Sequence, residues 1–163
     1  MIDFKCTPID NFAMIRRRMH SGSRVKVRKA APDEILGVFA KEPGYVGNPV
    51  HKRYPEDDNL KPPVCPRQDK TLCDLDPRDP IKSTRRLPKT AALRLFKDGV
   101  RRGLYSDTSE NGFPRRIWAV DGEGIVFEAK LDNPDQGTYH GYPLASKQRN
   151  LIDRISYLWG DDD

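Results

Sequence analysis

The sequence predicts an α+β protein: a small antiparallel sheet, formed by a C-terminal hairpin and a third strand, packed by helices and joined by a long irregular Pro-rich segment. Three observations carry this. Two apolar runs flank Asp121-Gly122-Glu123-Gly124, a hairpin pattern. Residues 90–104 and 148–159 repeat apolar side chains at helical spacing. Residues 42–88 hold most of the 14 prolines and follow neither the helical nor the strand period. The chain therefore divides into an N-terminal α/β segment (1–41), a Pro-rich strap (42–88) and a helix–hairpin–strand–helix module (89–163), all within one compact unit.

Residues 2–6 read as a short strand. Thr7-Pro8 then opens a helix, with Thr as cap and Pro at the first helical position. Phe12, Ile15 and Met19 form its apolar stripe, and Ser21-Gly22-Ser23 ends it. Residues 24–29 alternate basic and apolar side chains, a strand with one wet, positive face. Pro32-Asp33-Glu34 opens a short helix with acids in its first turn, where the helix dipole favours them.

The strap is expected to lie ordered and irregular against the rest of the protein rather than to swing as a tether. Beyond it, Ala91, Leu93, Leu95, Phe96, Val100 and Leu104 are interleaved with Arg94, Lys97, Arg101 and Arg102, an amphipathic helix with a basic outer face. Residues 115–120 and 124–131 form the hairpin, Asn133-Pro134-Asp135-Gln136-Gly137 a second turn, and residues 138–142 the third strand. Leu151, Ile152, Ile155, Leu158 and Trp159 mark the closing helix, stopped by Gly160.

With Lys and Arg at 29, Asp and Glu at 24 and a formal net charge of +5, the surface favours anionic partners: RNA or another nucleic acid, or an acidic protein. No run approaches the roughly 20 apolar residues that cross a bilayer, so no membrane partner is expected. The N-terminus lacks an apolar signal core, which predicts a cytoplasmic protein or one exported by a route that reads no such signal. Three cysteines suit a reducing compartment, with a Cys65–Cys73 bridge open to an exported chain. Cys65 and Cys73 with His51, Cys6 or His20 are spaced too widely for the close cysteine pairs of structural zinc sites. Glycine-rich phosphate loops, nucleophile elbows, His-Glu-x-x-His and calcium loops are absent from the sequence, which argues against nucleotide-dependent enzymes, serine hydrolases and common metalloproteases.

Strand parity points to one candidate site. With Asp121–Gly124 as the turn, Val120 faces Ile125, and Arg115, Ile117, Ala119, Val126, Glu128 and Lys130 share a side. His140 of the third strand joins them, flanked by Thr138 and Tyr142. A carboxylate, an imidazole and two cations on one face suit acid–base phosphodiester chemistry without a metal or other cofactor. Glu128 is the candidate base, His140 the acid, and Arg115 and Lys130 the phosphate ligands. Arg116, Thr138, Tyr139 and Tyr142 are candidate substrate contacts, the tyrosines by stacking on bases. Arg16, Arg17, Arg18, Lys26, Arg28 and Arg101 are candidates for following a phosphate backbone. The bland alternative is a cross-strand ion pair at Glu128 and a structural turn at Tyr139–Pro143.

Residues 88–145, through Phe-Pro-Arg-Arg-Ile-Trp-Ala-Val, Ile-Val-Phe-Glu-Ala-Lys-Leu and Tyr-His-Gly-Tyr-Pro, resemble small uncharacterised bacterial proteins. Their helix-then-sheet order is similar to the ribonuclease toxin superfamily that includes barnase, colicin nuclease and RelE-like domains. That resemblance implies a glutamate base, a histidine acid and an arginine phosphate ligand, parts that fall to Glu128, His140 and Arg115 or Arg116. The expected function is thus a metal-independent ribonuclease of toxin or effector type. The alternative is a non-catalytic basic binding protein, either a nucleic-acid binder or an adaptor or immunity-like partner of an acidic protein.

Overall fold

A computed structural model describes residues 25–55, 60–65 and 67–160. The expected strand at 2–6, the helix after Thr7 and the cations Arg16, Arg17, Arg18 and Arg24 lie outside the described residues.

The chain runs β1 (Val27–Lys29), a one-turn helix α1 (Ile35–Val38), β2 (Gly44–Tyr45), α2 (Lys89–Arg101), β3 (Leu104–Ser106), β4 (Ser109–Glu110), β5 (Phe113–Pro114), β6 (Arg116–Val120), β7 (Val126–Asn133), β8 (Thr138–Pro143) and α3 (Arg149–Gly160). Among the described residues, β1-β3-β6-β7-β8-β2 form one sheet and β4-β5 a second, two-stranded one.

This corrects the expected fold class. The sheet is not small, nor purely antiparallel: it has six strands and is mixed, because β2 pairs parallel with β8. Only α2 and α3 exceed a single helical turn among the described residues. The additional strands escape the sequence because β2 and β3 span two and three residues, too few to display a period. The backbone of β2 is recruited by the edge of β8: Gly44 N–H donates to Gly137 O and Val46 N–H to Tyr139 O.

Helices cover opposite faces of the sheet. Phe96 of α2 packs with Ile117, Ala129 and Tyr139. Ile155 of α3 packs with Leu104, Trp118, Val126 and Leu144. Ile117 and Trp118 are neighbours in β6, so alternation sends them to the two layers. Gly99 sets the spacing on the α2 side, since a Cβ there would run into the Trp118 carbonyl. Gly103, at φ +65, closes α2 in the left-handed conformation that ends helices.

The strap lies over the β8 edge of this sheet. Asp74 is fully buried and takes four hydrogen bonds. Oδ1 accepts from Lys52 Nζ at 2.9 Å and from Leu87 N–H at 3.0 Å. Oδ2 accepts from Arg53 N–H at 2.9 Å and Tyr54 N–H at 3.1 Å. Burial alone would raise this carboxyl; the Lys52 ammonium and the three backbone donors outweigh it and hold it below the ordinary value. Cys73 is a free buried thiol, so no Cys65–Cys73 bridge forms, and burial pushes it up to about 12.

Candidate active site

The hairpin turn is longer than the sequence suggests. Asp121 Oδ1 accepts from Glu123 N–H and Ile125 N–H, and Asp121 N–H donates to Ile125 O. Five residues are thereby looped out and Val120 faces Val126. This one-residue difference reverses the parity of β6 against β7. Trp118, not Ala119 or Ile117, joins Glu128, and Arg116 lies opposite Lys130. Arg115 leaves the group; its guanidinium pairs with Glu110 at 3.0 Å. The β7–β8 parity is as expected, with His140 opposite Lys130 and Tyr142 opposite Glu128.

Glu128 is 4% exposed and receives three donors. Oε1 accepts from Tyr142 Oη at 2.6 Å and Arg116 Nε at 3.2 Å, and Oε2 from Trp118 Nε1 at 3.0 Å. Charge-assisted hydrogen bonds of this kind fix a carboxylate firmly. With three of its roughly four acceptor sites engaged, such a group is suited to a structural hub more than to taking a substrate proton. Tyr142 is held with its hydroxyl protonated, pushed up by burial first and by the Glu128 charge second.

His140 lies with its Nδ1 3.2 Å from Asp132 Oδ1, an electrostatic contact that lacks hydrogen-bond alignment. Its pKa is lowered by burial, which outweighs the raising influence of Asp132; Lys130 and Lys70 lower it further. A second imidazole stands beside it. His51, from the strap, stacks on Tyr142 at 4.6 Å between ring centroids and on His140 at 5.8 Å. Its Nδ1 lies 2.7 Å from Thr71 O, which fixes that nitrogen as the N–H and leaves the Nε2 lone pair available. Burial lowers its pKa as well.

At the sheet end where β6 begins and β7 finishes, a groove is lined by Lys26, Arg115, Arg116, Lys130, Glu110 and Asp132 among others; neither imidazole lines it, but Lys130 pairs with His140 across β7–β8 and Asp132 contacts the His140 ring. It gathers four of the cations singled out in the sequence. The other candidates lie elsewhere. Tyr139 is fully buried against Phe96 and donates to Pro114 O at 2.6 Å, a core role. Thr138 sits under β2, opposite Gly44. Arg28 is exposed on the edge strand β1, and Arg101 pairs with Asp98 on α2.

No family model, curated protein or solved structure matches this chain.

The sequence offers His51 only as a possible zinc ligand, because nothing in a proline-rich stretch shows where it lands. The adjacent sequence does carry a local signal: Asn48-Pro49 caps a turn, with Asn48 Oδ1 accepting from Val50 N–H at 3.0 Å, and that turn aims the imidazole inward. Among the described residues no cluster of three or more His, Cys, Asp or Glu side chains is placed to hold a metal ion. None of the described helices is long and apolar enough to cross a membrane.

Proposed function

We propose that the chain is a ribonuclease that cleaves phosphodiesters by acid–base chemistry, with His51 and His140 as the proton-transfer pair. The observation that carries this reading is the stacking of two imidazoles 5.8 Å apart, one of them in contact with Asp132 of a cation-bearing groove. Neutral His51 takes the ribose 2′-hydroxyl proton at Nε2. The 2′-oxygen then forms a bond to phosphorus as the bond to the 5′-oxygen breaks. That oxygen receives a proton from His140, which reacts in its protonated form, a form that burial disfavours and that Asp132, 3.2 Å from Nδ1, favours. Lys130 and Arg116 offset the charge that develops on the phosphate. Glu128 serves as the hub that positions Arg116 and Tyr142 rather than as the base. The products are a 2′,3′-cyclic phosphate and a free 5′-hydroxyl, and because the proton transfers use side chains alone, EDTA leaves the reaction unaffected.

The test is digestion of single-stranded RNA in EDTA by the parent, His51→Ala and His140→Ala. Each variant is expected to lose about 10²–10⁴-fold, the usual contribution of one positioned acid or base. Unchanged cleavage in both variants would remove the proposal. A second reading, a non-catalytic nucleic-acid binder, is favoured by the burial of His51, which is 4% exposed. Salt-dependent RNA binding by the parent without turnover would select it.

A further inference from the structure

Away from the groove, the strap carries an arginine–tyrosine–arginine cluster. The guanidinium of Arg86 lies over the Tyr54 ring at 4.4 Å from its centroid, and that of Arg53 at 5.8 Å. Arg53 and Arg86 are exposed and Tyr54 half-exposed. Neither arginine makes a carboxylate contact among the described residues, in contrast to Arg78, Arg85, Arg115 and Arg116, each of which is ion-paired. Two cations on one aromatic ring repel each other, so the arrangement is costly unless the backbone enforces it.

The backbone does enforce it. The buried Asp74 carboxylate accepts from the N–H groups of Arg53 and Tyr54 and from that of Leu87, the residue after Arg86. One buried charge, neutralised by Lys52, thus clamps together the two strap segments that carry the cluster. Preorganisation of this kind lowers the entropic cost of binding.

We infer that Arg53, Tyr54 and Arg86 form a second binding platform for single-stranded RNA, on which a base stacks against the exposed cluster while the arginines engage flanking phosphates. Planar guanidiniums suit both contacts, since they pair with phosphate in a fork and stack on flat rings. The inference rests on the reading of RNA as the partner, though not on its cleavage.

The test uses the full chain carrying His140→Ala, to prevent turnover, and a fluorescein-labelled single-stranded RNA followed by anisotropy. R53A/R86A is expected to weaken binding at least tenfold and to lower the slope of log affinity against log salt by one to two, as each lost phosphate contact removes about 0.7. Tyr54→Ala should weaken binding several-fold, with Tyr54→Trp restoring it. A control pair, R94A/K97A on the basic face of α2, removes the same charge and should change affinity less than threefold. Equal losses in the two pairs, or none in R53A/R86A, would overturn the platform. Circular dichroism and melting of each variant show whether the fold is retained, and Arg53→Lys with Arg86→Lys separates charge from planarity if an alanine variant fails to fold. Cleavage is read separately in the parent, so an inactive parent that still binds through this cluster leaves the platform standing and removes only the enzyme.

Discussion

In the sheet and the helix α3 packed on it, Leu104, Trp118, Tyr139 and Ile155 are at 0% exposure; in the strap, Asp74 is at 0%. The two regions are ordered by different forces. Apolar layers on both faces of the sheet exclude water over a broad area, and no single contact decides the outcome. The strap has few apolar side chains to bury, and its path is set largely by directed bonds, four of them to one carboxylate. A region held by area tolerates local damage and weakens gradually. A region held by a charge keeps or loses its arrangement as a unit. The proposed site straddles this boundary: His140, Tyr142 and Glu128 belong to the sheet, whereas His51 is delivered by the strap.

Two variants test that contrast at its strongest. Trp118→Ala removes the ring shared by the α3 layer and the Glu128 hub, and should cost about 3–5 kcal/mol of global stability in denaturant unfolding. Protection should then fall across the sheet in hydrogen exchange. Asp74→Ala takes the buried carboxylate away from the Lys52 ammonium and from the N–H groups of Arg53, Tyr54 and Leu87, a loss of about 3–5 kcal/mol. Here the loss should be regional, with the amides of residues 53, 54 and 87 exchanging freely while those of β6 and β7 stay protected. Uniform loss of protection in both variants would mean that strap and sheet are one cooperative unit.

The same contrast explains what the sequence disclosed. The amphipathic patterns at 90–104 and 148–159 correspond to Lys89–Arg101 and Arg149–Gly160, because helical periodicity reports directly on an apolar layer. The hairpin was legible as a hairpin, but its register was not. The Asp121 side chain captures two backbone N–H groups and extends the loop to Ile125, so Arg116 rather than Arg115 meets Glu128. The strap's contribution was illegible for a different reason. Directed hydrogen bonds, to the Asp74 carboxylate and to the β8 backbone, leave no repeating pattern, and so neither β2 nor the His51–Tyr142 stack is announced by composition. The expectation of a small antiparallel sheet failed on that point.

Intermediate effects sharpen the comparison within each region. Gly137, at φ +66, turns β7 into β8, and a Cβ there would collide with the Phe113 ring. Gly137→Ala should cost about 2–4 kcal/mol, combining left-handed strain with overpacking, measured by thermal unfolding. For the strap, pH supplies the probe. Burial depresses both imidazoles, so the folded state binds fewer protons than the unfolded chain near the ordinary value of 6.5. Their contribution to stability is complete above 6.5 and is lost as pH falls through the depressed folded values. Nearby Asp132 and Asp69 oppose that loss, while Lys130 and Lys70 add to it. Urea midpoints taken from pH 8 to pH 5 should decline in the parent and flatten in the His51→Gln, His140→Gln double variant. An equally steep decline in the double variant would place the titration elsewhere.

The smallest effect belongs to the residue that sequence parity put in the wrong place. Arg115 has a side chain that is 59% exposed and pairs with Glu110 at 45%, so solvent screens the interaction. Arg115→Ala should change stability by less than about 1 kcal/mol. Because its guanidinium lines the groove, the same variant should still weaken RNA binding modestly, about two- to fivefold, with a shallower salt slope. Arg116→Ala should behave otherwise despite the adjacent position: it removes a donor from the buried Glu128 carboxylate and is expected to lower stability by about 1.5–3 kcal/mol as well as cleavage. Near-identical profiles for the two arginines would show that Glu128 draws no support from Arg116, and the hub would then reduce to Trp118 and Tyr142 alone.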